Sequence, residues 1–199
     1  MQHLIVISHP RQRSFTQAVA RAYVEALEAQ GHRATLRDLY ALRFDPVLAA
    51  DELMGPAQVA VPAAVREEQR HVLEAEAIAF FYPIWWGYMP AMLKGYFDRV
   101  FSLSFAYEMH GEAMTPRLSG KRAVIVTSSG ADLDYLRDSG QWEAMRRLEH
   151  NQLLAPCGIE LLEHVHFPSI TPDLPEQVVR QHLARARELA AKHWARIPA

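Results

Sequence analysis

Hydrophobic positions in this chain switch repeatedly between a strand rhythm and a helix rhythm. A short apolar run from His3 to Ser8 predicts a first strand, and Phe15, Ala18, Val19, Ala22, Tyr23, Ala26 and Leu27 then recur at helical spacing. Ser14 and Gln17 are placed to form a capping box at the start of that helix, and Gly31 ends it. His32 to Leu39 reads as a second strand. Tyr40 to Pro62 is a long irregular connection with prolines at positions 46, 56 and 62, a length that is usually functional or mobile. A helix from about Ala63 to Glu76 leads to a third strand, Ala77 to Phe81, which runs without a break into an aromatic loop and a helix that Pro90 can start. The fourth strand, Ala123 to Thr127, opens into Ser128-Ser129-Gly130-Ala131-Asp132, and a helical stretch follows to about Leu154. Ile159 to Phe167 is the fifth strand. Asp173-Leu174-Pro175-Glu176 supplies a cap residue, an N1 proline and an acid for a last helix whose Val179, Leu183, Ala186, Ala190 and Trp194 form an apolar stripe.

Strands alternating with helices predict an α/β fold: an open five-stranded parallel sheet with helices on both faces, in a single domain over residues 1–199. Such sheets bind ligands outside the carboxyl ends of their strands, where strand order reverses. Three loops therefore matter: Ser8 to Ser14, Tyr82 to Met89 and Thr127 to Tyr135.

Composition narrows the partners. Lys and Arg total 21 against 23 Asp and Glu, and a net charge of -2 sets up no field that would gather nucleic acid or an anionic membrane. A bound phosphate must be held locally. The single cysteine, Cys157, excludes an internal disulfide, fits a reducing compartment and reads as a small buried hydrophobe. The N-terminal apolar run is too short for a signal peptide, and no segment approaches the roughly 20 apolar residues that cross a bilayer, so a cytoplasmic location is expected.

The most informative stretch is Tyr82-Pro83-Ile84-Trp85-Trp86-Gly87-Tyr88-Met89. Adjacent tryptophans in a loop each want a partner for the indole N–H and a large flat contact, which a planar ligand would supply. The first loop, Ser8-His9-Pro10-Arg11-Gln12-Arg13-Ser14-Phe15-Thr16, enters a helix N-terminus, where free N–H groups favour an anion. It is neither a P-loop nor a G-x-G-x-x-G fingerprint, and Ser14 alone is equally well read as a simple cap. In the third loop the hydroxyls of Thr127, Ser128 and Ser129 beside Gly130 suit the polar edge of a ring, and Tyr135 could stabilise negative charge developing there. A solvent-exposed turn followed by a half-buried tyrosine is the plainer account of that loop.

Other chemistries find less support. His164 and His166 lie on one strand face but lack a third ligand at a recognisable spacing, so no metal is expected, and they read as surface or capped histidines. No G-x-S-x-G elbow exists for a hydrolase. Asp98 and Arg99 read as helix-surface charges or an ion pair, and Lys94 as a solvated face residue.

Taken together, Pro83-Ile84-Trp85-Trp86, the run Met89 to Phe101, and Phe105-Ala106-Tyr107 resemble the flavodoxin-like NAD(P)H:quinone oxidoreductases, the group that includes the DT-diaphorase and modulator of drug activity types. His9 with Ser14-Phe15, Asp38-Leu39-Tyr40, Asp45-Pro46 and Thr127 to Gly130 support the resemblance, which spans nearly the whole chain. It implies a flavin with its phosphates against His9, Ser14, Phe15 and Thr16 and its ring edged by Pro83, Ile84, Trp85, Trp86 and Gly87 and by Thr127, Ser128, Ser129 and Gly130. FAD is favoured, with FMN the alternative. Tyr135 matches the tyrosine that stabilises the reduced ring, and the histidine that assists it in similar enzymes is replaced here by Gln141, a neutral amide. The resemblance further implies a homodimer with its active site at the subunit junction. Trp86 and Tyr107 would line the substrate pocket, Tyr107 reaching toward the partner's, although Phe101 and Phe105 are equally well explained by core packing.

The expected activity is thus a two-electron, ping-pong transfer of hydride from NAD(P)H through the flavin to a quinone. Two rivals stand beside it: a flavin-binding regulatory subunit of a membrane transporter such as a potassium efflux system, and a one-electron carrier, against which the near-neutral charge counts.

Overall fold

The structure, a computed structural model, describes residues 1–53 and 61–194; Pro56 of the long connection lies outside them. The elements run β1 (Gln2–Ile7), α1 (Phe15–Ala29), β2 (Arg33–Asp38), α2 (Ala63–Glu74), β3 (Ala77–Pro83), α3 (Ala91–Val100), β4 (Tyr107–His110), β5 (Ala113–Pro116), β6 (Arg122–Ser128), α4 (Leu133–Asp138), α5 (Gln141–Arg147), β7 (Glu160–Phe167) and α6 (Glu176–Trp194). Five strands form one parallel sheet in the order β2-β1-β3-β6-β7, the flavodoxin-like arrangement. The order reverses between β1 and β3, which fixes the crevice where a ligand belongs.

Both faces of the sheet are buried, so successive residues of each strand enter opposite cores. Leu4 and Val6 of β1, Ile78 and Phe80 of β3 and Ile125 of β6 join Leu93, Tyr96 and Phe97 of α3. Ile5, Ile7, Ala79, Phe81, Val124 and Val126 face the other way, against Tyr23 and Leu27 of α1 and Leu189 and Trp194 of α6. Each fully buried large side chain stabilises the fold by about 1.5–3 kcal/mol. Phe101, 8% exposed and 4.9 Å from the Phe97 ring, belongs to the first core, so packing accounts for it.

The expected strands and helices are present, with differences at their ends and in the second half. Ser14 caps α1 by accepting from the Gln17 N–H at 3.2 Å, but the Gln17 side chain turns to Asp38 at 2.7 Å instead of closing the box. Pro90 sits one residue before α3 as its cap. Asp173 does not cap α6; its carboxyl is engaged by Thr171 in the preceding turn, and Pro175 offers its carbonyl to the first helical amides. The helical stretch to Leu154 is broken at Gly140 (φ 73°), and from Leu148 to Leu154 it widens to a π-helix. The antiparallel hairpin β4–β5 was not anticipated, because its Glu-Met-His/Ala-Met-Thr pairs carry no buried face to write an alternation into the sequence.

Arg99 is an ion-pair residue, but a buried one, and its partner is Glu52 and not Asp98. Only 8% of its side chain is exposed, and it bonds Glu52 at 2.9 Å and the Asp45 carbonyl, fastening the long connection to α3. Lys94 stays on the solvated face as expected, where it pairs with Asp98 at i,i+4. Gly95 lets the same connection approach closely, since a Cβ there would lie 2.1 Å from the Pro46 carbonyl oxygen. Gly95→Ala is expected to cost about 1–3 kcal/mol of stability through this overlap, whereas Lys94→Ala, one residue away, should cost no more than about 0.5 kcal/mol; thermal melts of the two variants provide the check.

At the amino edge of the sheet His3 is buried against His32 and Trp194, each ring 5.0 Å away. Burial, reinforced by His32, lowers its pKa to about 4. The unfolded chain therefore binds more protons between the ordinary histidine value and about 4, so this contribution to stability is complete above pH 6.5 and is lost as pH falls toward 4. Urea midpoints measured across that window should decline less steeply for His3→Gln than for the parent chain.

Candidate functional site

The three loops meet at the carboxyl rim beside the β1/β3 switch. Ser8 continues β1 through its amide, which donates to Phe81 O at 2.9 Å, and its hydroxyl is buried with no hydrogen-bond partner among the described residues. The loop then turns over His9, whose Nδ1 accepts the Arg11 amide at 3.0 Å. That bond leaves Nε2 to carry the proton of the neutral ring, and burial lowers the pKa of His9, favouring that form. Asp38 at the end of β2 braces the loop by accepting from Gln12 at 3.0 Å and Gln17 at 2.7 Å.

The aromatic loop is a tight turn. Trp85 and Tyr88 exchange backbone hydrogen bonds at 2.9 and 3.1 Å, and both central residues have positive φ, 50° at Trp86 and 83° at Gly87. This is the pattern of a type I′ turn, which ordinarily takes Asn or Gly at both places. A tryptophan in that region is strained by about 1–2 kcal/mol, yet its side chain is fully exposed at 105% and receives no packing in return. Trp85, at 41%, lies against His9 with ring centroids 5.9 Å apart, so the first and second loops touch. The second and third are joined by the Ile84 amide donating to Ser128 O at 2.7 Å. Gly87 is closed over by Gln141: a Cβ there would come within 2.6 Å of the amide nitrogen.

Strand alternation divides the third loop. Ser128 faces a small crevice shared with Phe15, Thr16 and Phe167. Thr127 points the other way and its hydroxyl lies 2.9 Å from both His164 Nε2 and His166 Nδ1. Ser129 Oγ donates to Ala131 O at 2.8 Å and lies 3.0 Å from His166 Nε2. Thr127 and Ser129 thus spend their hydroxyls on the protein, and they shape the loop from below. A Cβ at Gly130 would meet only an ordinary contact, 3.9 Å from the Ile170 carbonyl oxygen. Tyr135 is 62% exposed on α4, whose cap Asp132 accepts the Tyr135 amide at 2.7 Å.

Pro83 closes β3 beneath this cluster. Tyr107 stands apart, on the hairpin, where it lines a cavity of about 500 Å³ with Phe97, Leu103 and Met114. Of the two readings, surface or capped, His164 and His166 take the second, each ring held by the Thr127 hydroxyl. The His164 side chain is 0% exposed, and His166, 4% exposed, has its pKa lowered to about 4, chiefly by burial. Trp142 covers both rings, and Glu149 lies 3.1 Å from His164. The signal for this cluster was present in the two-residue spacing of the histidines beside Thr127, but strand order was needed to interpret it. No group of three or more metal-binding side chains occurs among the described residues, and no helix there is long and apolar enough to cross a membrane. Cys157 is buried, with its thiol pushed up to about 11.

Comparison with known proteins gives a consistent picture. A family model described as the flavodoxin-like fold matches residues 1–190. An uncharacterized NAD(P)H oxidoreductase of Haemophilus influenzae is 33% identical, the match covering 85% of each chain. NAD(P)H dehydrogenase [quinone] 1 of Cavia porcellus is 30% identical over 98% of this chain and 78% of its own. Among solved structures, an NAD(P)H:quinone oxidoreductase from Methanothermobacter marburgensis superposes with a TM-score of 0.87 at 30% identity, covering 100% of this chain and 99% of the other.

The strained turn yields a contrast of two variants. Trp86→Gly removes the strain and no buried contact, so it should melt at or above the parent temperature. Gly87→Ala adds a methyl group at φ 83° against Gln141 and should lose about 1 kcal/mol or more. Differential scanning calorimetry of both variants tests the reading.

Proposed function

The chain belongs to the flavodoxin-like family of NAD(P)H:quinone oxidoreductases, and on that premise we propose that it is a flavin-dependent NAD(P)H dehydrogenase (quinone) working by two-electron, ping-pong hydride transfer. The observation that carries the proposal is the convergence, at the strand-order switch, of a helix N-terminus, an exposed strained tryptophan and a polar loop.

These residues suit a flavin. Phosphates would lie against the first turn of α1, formed by Ser14, Phe15 and Thr16, with His9 in the loop that leads into it. The ring would be edged by Pro83, Ile84, Trp85, Trp86 and Gly87 on one side and by the backbone of Ser128, Ser129 and Gly130 on the other. When bound, the flavin accepts hydride from the nicotinamide and passes it to the quinone. The chain's own contribution is placement and charge. Trp85 and Trp86 offer flat walls for nicotinamide and quinone in turn, and His9, beside Trp85, keeps its Nε2–H as a donor. The Tyr135 phenol can donate toward negative charge at the ring edge, where Gln141 can add an amide hydrogen bond but cannot share a proton.

FAD is our choice over FMN because the Ser14-Phe15 helix start and the Tyr40 to Pro62 connection suit the larger cofactor. We further propose a homodimer in which Tyr107 reaches the partner's pocket, and a cytoplasmic setting that keeps Cys157 reduced.

Steady-state oxidation of NAD(P)H by flavin-loaded protein with a benzoquinone should give the parallel double-reciprocal lines of a ping-pong reaction, while negligible turnover would contradict the reading. Tyr135→Phe should slow hydride transfer about 10- to 100-fold in stopped-flow experiments, with flavin binding nearly unchanged because only the charge-stabilising hydroxyl is removed.

A further inference from the structure

The tryptophan turn is held in a form that its own sequence does not select. Trp86 and Gly87 both have positive φ, 50° and 83°. A type II turn needs positive φ only at its second central residue, where Gly87 already stands, and would let Trp86 relax to a φ of about −60°. The mirror-image turn is ordinarily favoured by the twist of the two strands it joins. Here the Trp85–Tyr88 bridge is isolated, so no strand pair supplies that twist. Whatever keeps Trp86 strained acts from outside the turn.

Two sets of contacts reach it. Ile84 and Tyr88, on its flanks, pack against the small core that Leu136, Trp142 and Met145 form between α4 and α5. Gln141, the first residue of α5, lies across the tip: its Nε2, Cδ and Cγ stand 2.6, 3.5 and 3.9 Å from the place a Gly87 Cβ would take. Gly140, with φ 73°, turns the chain between the two helices immediately before it. The Gln141 side chain makes no hydrogen bond among the described residues. Contact with Gly87 is what its position achieves.

We propose that Gln141 is a positioning residue: laid across Gly87, it keeps the peptide between Trp86 and Gly87 from turning over and so fixes where the Trp86 indole stands. The inference rests on the oxidoreductase reading, in which Trp86 is a wall for nicotinamide and quinone. The indole is fully exposed and has no packing of its own, so its direction is set by the backbone alone. With Gln141 shortened, the turn relaxes, φ of Trp86 becomes negative and the wall swings out of place. Molecules that stack on it then bind more weakly in the ground state and the transition state alike, which raises KM and leaves kcat nearly unchanged. The role needs the length and shape of the side chain and not its amide. Methionine, of similar length and without the polar end, therefore suffices.

A double-mutant cycle followed by thermal melting tests the hold without any turnover. In the parent chain Trp86→Gly removes the strain and should leave the melting temperature unchanged or raised. In Gln141→Ala, whose turn has already relaxed, the same change only adds freedom to the unfolded chain and should lower it. The two shifts should differ by roughly 2–6 °C. Gln141→Met should restore the parent's response, and Gln141→Ser repeats the comparison if the alanine variant does not fold. Equal shifts in every background would overturn the proposal. In the flavin-loaded protein Gln141→Ala should raise KM for NAD(P)H about 3- to 10-fold, the loss of one stacked aromatic contact, with kcat within about twofold. Gln141→Met should match the parent; if it were as impaired as the alanine variant, the amide would be acting on the ring itself and the positioning role would fall. A parent protein that NAD(P)H does not reduce would overturn the oxidoreductase reading, with the melting cycle unaffected.

Discussion

A parallel sheet buried on both faces obliges each strand to send successive residues into different environments, and the carboxyl rim inherits that obligation. Val126 and Ser128 face α1, while Ile125 and Thr127 face the other core. The same alternation on β7 sends Val165 and Phe167 toward α1 and α6 and brings His164 and His166 to Thr127. One loop therefore presents a small crevice on one side and a buried polar cluster on the other. Its backbone is held from both sides, by Ser129 against Ala131 and His166 and by Ser128 O against the Ile84 amide.

The rim also concentrates what the fold would otherwise avoid. Trp86 occupies a backbone conformation suited to Asn or Gly and leaves its indole in solvent, while the buried Ser8 hydroxyl lacks a partner among the described residues. Each costs stability without return from packing, and of the two only Trp86 is open to a ligand. Arg99 is matched by Glu52 and the Asp45 carbonyl, and Gly95 lets Pro46 close the gap over α3.

Much of this could be read from the sequence because both periodicities are strong where burial is complete. Ala77 to Phe81, buried at every position, could only be a central strand, and Gly31 with φ 75° ended α1 as expected. What was missed depended on information that a linear pattern does not carry. The β4–β5 hairpin has no buried face, the π-helical turn differs from an α-helix by one residue of phase, and Arg99 looks like any surface charge until the long connection folds back on it. The three loops were identified because each leaves the carboxyl end of a parallel strand, whereas Glu149 became visible only when the sheet placed it beside His164.

The account depends on a tricyclic ring lying at the β1/β3 switch, between the tryptophan turn and the Ser128 to Gly130 backbone. A crystal structure of the protein loaded with FAD or FMN tests this most directly. It should place the phosphates at the start of α1 beneath His9 and the ring edge within hydrogen-bonding distance of the third loop's amides. A flavin bound elsewhere, or a protein that takes up neither nucleotide, would contradict it.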